Sequence, residues 1–425
     1  MAERDRARID VLIIGGFGRV GLPLGITLAD AGFRVLLHDV DASKRPLIEA
    51  GRMPFIEHEA EPMLQRVIGK TLRVAQGLAD VAKAETVIIT IGTPVDQHLN
   101  PMLKPMLELA EAMGAHLRDG QTVILRSTVF PGTTQRLQER FARRGLRVHL
   151  AYCPERIVQG EAIRELRTLT QIVSGCTEPA VLRAEALFQR LGVSTIRVTV
   201  QEAELAKLFS NAWRYIQFAT ANQFYMMATE QGADYARIYH AMTHRYERAR
   251  DIPRPGFAAG PCLLKDTLQL AAFQDNQFPL GHAAMMVNEG LPRFLVRYLT
   301  ETRRLTLAGA RVGVLGMAFK ANIDDTRDSL SYKLAKILRF HGAEVVCSDE
   351  HVQDPAFVSK ETLIATCPIV IVGVPHAAYR QLAVPADTEL LDLWGMLRER
   401  PAKAAAAPKG RPRARRREPV TAQGR

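Results

Sequence analysis

A thiol stands at Cys262, behind the bend Pro255-Gly256-Phe257-Ala258-Ala259-Gly260-Pro261, and Asp266 follows four residues later. A free cysteine is most often a small buried hydrophobe. Here Gly256 and Gly260 let backbone come close to a ligand. A helix opening near Pro261 would put Cys262 at its positive end, which favours thiolate, with Asp266 one turn further along the same face. Such a sulfur can add to carbonyl carbon. Lys207 and Asn211 repeat the four-residue spacing. This lysine lies in an otherwise apolar stretch, and a desolvated lysine has a lowered pKa suited to proton transfer. Neither pair alone identifies a reaction.

A third constellation is Gly16-Phe17-Gly18-Arg19-Val20-Gly21, which fits GxGxxG between an apolar run and a helical pattern. Gly16 permits the tight turn, Gly18 lets backbone meet a pyrophosphate, and Gly21 lets helix and strand pack closely. Phosphate charge then falls on the helix N-terminus at Val20 and Gly21. Asp39 ends the second apolar run, where a carboxylate can accept from a ribose 2′-hydroxyl and would repel a 2′-phosphate. The expected cofactor is therefore NAD, with Lys44, Thr93 and Pro94 also expected at its site, although Lys44 is the one nearby charge that speaks against NAD over NADP. No metal site is expected.

The elements that must position these groups follow from the apolar pattern. Ile9 to Ile14, Phe33 to His38, Thr86 to Ile91, Thr122 to Leu125 and Leu146 to Ala151 read as strands of a parallel sheet covered on both faces. Polar groups cluster after their carboxyl ends: Thr93-Pro94, Ser127-Thr128 and Cys153-Pro154-Glu155-Arg156. That edge is where doubly wound sheets place ligands. Arg311 to Leu315, Glu344 to Cys347 and Pro368 to Val372 mirror the first three strands and predict a second, smaller sheet without the full glycine fingerprint. Between them, Glu202 to about Gly232 predicts one helix about 45 Å long. It is apolar on more than one face, so both domains or a second subunit must bury it, and a homodimer is expected. The fold class is α/β, with two Rossmann-like doubly wound domains joined by a long central helix. The expected domains are 1–200 (NAD-binding), 201–300 (helical, with the cysteine loop), 301–400 (Rossmann-like) and 401–425 (tail).

Composition narrows the classes. The chain of 425 residues is 47% hydrophobic and 24% charged, and no apolar run approaches membrane-spanning length. The net charge of +11 is misleading, because residues 401–425 carry +7 of it on six Arg and two Lys against one Glu. That tail is expected to be a disordered appendage rather than a nucleic-acid contact. Five cysteines without framework spacing, and a charged Met1-Ala2-Glu3-Arg4 start, predict a cytoplasmic protein.

Together these motifs resemble the nucleotide-sugar 6-dehydrogenase family, which includes UDP-glucose, GDP-mannose and UDP-N-acetylmannosamine dehydrogenases. The resemblance covers about residues 8 to 396. It rests on the glycine fingerprint, Thr93-Pro94, Ser127-Thr128-Val129-Phe130-Pro131-Gly132-Thr133, Cys153-Pro154-Glu155-Arg156, Lys207 to Asn211, Cys262 to Asp266 and Gly316-Met317-Ala318-Phe319-Lys320. It implies a double oxidation of a sugar C6 hydroxyl by two NAD in turn, with a thiohemiacetal and then a thioester on Cys262. It also implies roles for single residues: Lys207 for oxyanion or proton, Asn211 for the same oxygen, Asp266 and Thr128 for a water, and Glu155 for thioester hydrolysis. Gly256, Phe257, Gly260 and Lys320 would bind the UDP-sugar, and Arg327 would face the cofactor phosphates. Arg19 departs from the aromatic residue often found in the glycine loop, a change expected to alter cofactor contact slightly. The family's arginine that crosses the dimer interface could be Arg245, Arg248 or Arg250.

Ala258, Ala259 and Pro261, with Asn211 to Tyr215, resemble the N-acetylhexosamine branch more than the Gly-Gly-Ser-Cys form of UDP-glucose enzymes. The implied substrate is UDP-N-acetylmannosamine or UDP-N-acetylglucosamine, with UDP-glucose the alternative, and the product would feed a surface polysaccharide. A single-step hydroxyacid-type dehydrogenase would share the fold but have no use for Cys262. A non-catalytic binder would leave Lys207 and Asp266 idle as well.

Overall fold

The computed structural model describes residues 9–93, 95–96 and 102–397. The first sheet has eight strands: β1 (Ile9–Ile14), β2 (Val35–His38), β3 (Leu72–Val74), β4 (Ala84–Ile89), β5 (Thr122–Leu125), β6 (His149–Tyr152), β7 (Gln171–Gly175) and β8 (Thr195–Arg197). Their order is β3-β2-β1-β4-β5-β6-β7-β8, and among the paired strands only β6 and β7 run antiparallel. In register, Ile14 lies beside His38 on one side and Ile89 on the other. The order therefore reverses at β1, and the ligand crevice of such sheets opens there. Alternate residues serve opposite faces. Val11, Ile13 and Ile124 pack with Leu22 and Ile26 of helix α1 (Gly21–Asp30), while Leu12, Val87 and Val123 pack with Met106 and Phe141. A strand buried on both faces has no polar alternation, which is why the runs are continuous.

Three strands begin or end two or three residues from their expected limits. They are β2, which starts at Val35; β4, which is Ala84–Ile89; and β6, which is His149–Tyr152. The strands β3, β7 and β8 were not expected. They have three to five residues, and β3 and β8 each carry an arginine, too little for any period to register.

The central helix α2 spans Val200–Glu230 and opens two residues earlier than expected. A capping box explains the start: Thr199 Oγ1 accepts from the Glu202 amide (3.3 Å), and Glu202 Oε2 accepts from the Thr199 amide (2.7 Å). Leu208, Ala212, Tyr215 and Ala219 are buried, and α2 packs against α3 (Leu263–Phe273) and α4 (Pro279–Arg297). Phe209 (52% exposed), Trp213 (60%), Phe224 (39%) and Met227 (56%) form a stripe that this chain leaves uncovered. No described helix is long and apolar enough to cross a membrane.

The second sheet comprises β9 (Arg311–Leu315), β10 (Glu344–Ser348), β11 (Ile369–Val372) and β12 (Glu389–Asp392), all parallel, in the order β10-β9-β11-β12. Only β12 was unexpected.

Candidate active site

Cys262 stands immediately before α3, at its N-cap, as the spacing predicts. Its loop is gripped from three directions. Asn222, fully buried in α2, donates to the Gly256 carbonyl (3.0 Å) and accepts from the Gly256 amide (2.8 Å). Gly260 has φ +98°, and a Cβ there would lie 2.5 Å from the Phe319 ring, which belongs to the loop after β9. At Gly256 a Cβ would run into the Trp394 ring. The glycines are therefore needed where aromatics of the second sheet press on the cysteine loop.

The result is a cavity of ≈ 300 Å³ lined by Cys262, Lys207, Asn211, Lys320, Phe257 and Gly260, with Arg156, Arg214, Phe319 and Trp394 among its other walls. Sulfur is reached from solvent through this cleft. Asp266 lies beneath the wall, fully buried, accepting from Asn211 Nδ2 (2.5 Å) and paired with Lys265 Nζ (2.7 Å). Lys265 also reaches Thr93 Oγ1 (3.4 Å), which itself donates to the Thr128 carbonyl (2.5 Å). A polar chain thus runs from the ends of the first sheet's strands to Asn211 on the cavity wall. Asn222 and Lys265 were not anticipated. Lys265 could have been found, since it sits inside the Cys262–Asp266 motif, whereas Asn222 shows only as a polar residue in an apolar helix.

Two influences act on the Cys262 thiol in opposite senses. Helix position alone favours a Cys262 thiolate. In the fold, burial pushes the thiol up and the Asp266 carboxylate adds to this, against the opposing pull of Lys207, Lys265 and Arg327. Burial likewise pushes the Lys207 ammonium down, countered by Asp266, Cys262 and Glu155 and reinforced by Lys265. Desolvation by walls from distant parts of the chain thus opposes the pull of the helix end on the thiol.

Glu155 and Thr128 do not line this cavity. Glu155 faces a smaller neighbouring hollow beside Gln171 and Phe188. Its Oε2 pairs with the fully buried Arg126, and its Oε1 accepts from the Arg156 (2.7 Å) and Ile157 (3.0 Å) amides. Burial alone would raise its pKa, but Arg126 and these donors hold it below the usual carboxylate range. Thr128 joins the chain of contacts through its carbonyl. Lys320 Nζ donates to the Gln159 carbonyl (2.6 Å), which ties the second domain to the first at the cavity mouth.

The glycine loop opens at the crevice beside β1. Gly15 carries the positive φ (+82°), a Cβ at Gly16 would be 2.9 Å from Leu37 Cβ, and one at Gly21 would run into the Gly15 carbonyl. Gly18 needs its missing side chain least. Val20 caps α1 with no side-chain bond to the helix. Asp39 Oδ2 accepts from the Phe17 amide (2.9 Å) and Oδ1 from the Asp41 amide (3.0 Å), so the carboxylate stands beside the loop. Lys44 pairs with Asp41 (3.2 Å) rather than Asp39, which removes the one charge that spoke against NAD. Thr93 is placed as above, and Pro94 lies outside the described residues. A loop stripped of side chains, a free helix end and a loop-held carboxylate fit a dinucleotide. Arg327 is bonded to Asp325 (Nη2 2.7 Å). Arg19 turns from the loop across the cleft to Asp324 (2.9 Å) and Asp325 (3.2 Å).

Known proteins resemble this chain in sequence and fold. Models of the UDP-glucose/GDP-mannose dehydrogenase family match residues 9–192 (NAD binding domain), 201–290 (central domain) and 313–398 (UDP binding domain). The UDP-N-acetyl-D-mannosamine dehydrogenase of Pyrococcus horikoshii is 31% identical over 391 residues, 88% of this chain and 91% of that one. The UDP-N-acetyl-D-glucosamine 6-dehydrogenase of Pseudomonas aeruginosa is 27% identical, covering 86% and 87%. The structure of a UDP-glucose dehydrogenase from Pyrobaculum islandicum superposes with TM-score 0.84 at 26% identity, over 91% of this chain and 98% of that one. The chain therefore belongs to the UDP-glucose/GDP-mannose dehydrogenase family, as an oxidoreductase that uses NAD.

Proposed function

We propose that this chain oxidises the C6 hydroxyl of a UDP-N-acetylhexosamine, the N-acetylmannosamine or N-acetylglucosamine form, by four electrons to the uronate. The observation that carries the reading is one cavity walled by Cys262, Lys207 and Asn211, with Asp266 beneath it. Arg156, Lys207, Arg214 and Lys320 line it and no carboxylate does, which suits a nucleoside diphosphate. NAD, when bound, accepts a hydride in each of two oxidations.

Loss of the first hydride and of the hydroxyl proton, the latter to Lys207 or solvent, leaves C6 an aldehyde. An aldehyde carbon must become tetrahedral before it can lose a second hydride, and Cys262 supplies the bond. Sulfur joins C6 and the thiol proton passes to oxygen, which gives a thiohemiacetal. Loss of its hydride and hydroxyl proton leaves a thioester. Asn211 donates one amide N–H to a hydrogen bond with Asp266 and has a second N–H for the oxyanion. Water then adds, the C–S bond breaks, sulfur regains a proton, and uronate leaves with one proton released. Asp266, Thr128 and Lys265 stand behind the cavity wall and act on this step through Asn211, which Asp266 holds in place. Glu155, already bonded on both oxygens, acts from behind by favouring the Lys207 ammonium.

The relatives from Pyrococcus horikoshii and Pseudomonas aeruginosa support an N-acetylated sugar. The likeness to a UDP-glucose dehydrogenase keeps UDP-glucose as a second reading. Incubation with a panel of UDP- and GDP-sugars, following NADH and product mass, tests both. The expected result is two NADH per UDP-N-acetylhexosamine. Cys262→Ser should lower uronate formation by on the order of 10³-fold or more. One NADH per sugar, or undiminished uronate from the serine variant, rejects the thioester.

The uncovered stripe of Phe209, Trp213, Phe224 and Met227 supports a homodimer built on α2. A cytoplasmic location and a product that enters a surface polysaccharide are part of the same proposal and rest on the sequence alone. Sedimentation of Trp213→Glu beside the parent tests the dimer, since an unchanged mass would reject α2 as its interface.

A further inference from the structure

Arg19 does something its position does not require. It stands between the second and third glycines of the cofactor loop, yet its guanidinium leaves that loop and enters the second domain. There Nη1 donates to Asp324 Oδ1 (2.9 Å) and Nε lies 3.2 Å from Asp325 Oδ2. The group also sits over the Phe55 ring, 4.8 Å from its centroid. Asp324 reaches back in turn, accepting from the Ile56 amide (3.3 Å), so both partners bridge the same two domains. The pairs are not surface ornaments. Arg19 is 19% exposed and Asp325 3%, a setting where an ion pair is screened far less than at the surface.

The carboxylates belong to a segment with consequences at the thiol. The Asp325 carbonyl accepts from the Phe319 amide (2.8 Å), and Phe319 is the ring against Gly260. Lys320, next in sequence, lines the Cys262 cavity and is tied to the Gln159 carbonyl. Arg327 closes the same segment on Asp325. One side chain therefore connects the loop that receives a pyrophosphate to the loop that shapes the sugar-nucleotide cavity.

We propose that Arg19 is a positioning residue that couples the two binding sites. By clamping Asp324 and Asp325 it keeps the 319–328 segment in register with the glycine loop, so a ligand ordering either loop prepares the other. This rests on NAD and a UDP-sugar as the ligands. Coupling between sites is reciprocal, so binding alone can measure it, without turnover.

The test titrates NADH into the full chain with and without saturating UDP, for the parent, Arg19→Met, Asp324→Asn and the double variant. In the parent, UDP should tighten NADH binding about fivefold or more. Arg19→Met should bring that ratio close to one, Asp324→Asn should lower it part of the way because the Asp325 pair remains, and the double variant should lose no more than Arg19→Met. Arg19→Lys, which keeps charge but loses the two-pronged reach, should fall between. A ratio near one in the parent overturns the proposal, as does the parental ratio in either single variant. It is overturned too if Arg19→Met weakens NADH equally with and without UDP while Asp324→Asn has no effect, since Arg19 would then be only a cofactor contact. Failure of the parent to bind NADH or UDP at all rejects the ligand reading, and the coupling with it.

Discussion

The two sheets end in the same device put to different uses. In each, the first strand closes on a glycine with positive φ, Gly15 (+82°) after β1 and Gly316 (+89°) after β9. In each, a carboxylate after the second strand accepts from the amides of that loop: Asp39 from Phe17 (2.9 Å), Asp349 from Met317 (2.6 Å) and Ala318 (2.9 Å). Both also accept from an amide two residues on, at Asp41 and His351. The difference is what lies above. Asp39 is half-buried at the crevice, whereas the Asp349 side chain is fully buried under His376, whose Nε2 is 3.0 Å away. His376 Nδ1 accepts from the Asn322 amide (3.0 Å), so its proton sits on Nε2 and points at Asp349. An open carboxylate can meet a ribose, and a sealed one can only hold its loop. The second loop also has one glycine, and its Phe319 and Lys320 line the Cys262 cavity, which the first glycine loop does not reach.

The largest expected effect comes from opening the sealed site. Asp349→Ala leaves four loop amides and an imidazole without their buried acceptor, a loss of about 3 kcal/mol or more of stability. Chemical denaturation reads it directly. If the variant is as stable as the parent, Asp349 is not a structural clamp and the contrast with Asp39 fails.

Asp39→Ala should behave the other way. Its two amide donors lie near solvent and can turn to water, so the melting temperature should move little. NADH binding should weaken about tenfold, the worth of one charge-assisted hydrogen bond. An unchanged NADH affinity with a large stability loss would make Asp39 a second clamp. The two carboxylates would then be equivalent.

How far all this could be read beforehand depends on sequence distance. The strands β1, β5 and β9 appear at their true limits because buried parallel strands are continuous apolar runs. Cys262 with Asp266, and Lys207 with Asn211, are four apart on helices, so their geometry is local and legible. Asn222, whose partner Gly256 is 34 residues away, and Arg19, whose partner Asp324 is 305 away, are set by tertiary contact that no local pattern encodes. The desolvation that opposes the helix end at Cys262 was hidden for the same reason: the helix end is local, while the desolvating walls come from three parts of the chain.

The smallest effect is also the one that isolates the Asp349–His376 contact from the rest of the fold. Burial alone would raise the Asp349 pKa, but the His376 imidazole and the surrounding amides outweigh it and hold the carboxyl well below the ordinary range. A group whose folded pKa is depressed contributes stability that is complete above its unfolded pKa, about 3.9 for Asp, and is lost as pH falls toward the folded value. The parent should therefore lose melting temperature below about pH 4 more steeply than Asp349→Asn, which has no proton to take up there. Above about pH 5 the two curves should run parallel, the variant lower. Melting followed from pH 6 to pH 3 checks this, and curves that stay parallel throughout would mean that Asp349 is not held as a carboxylate at all.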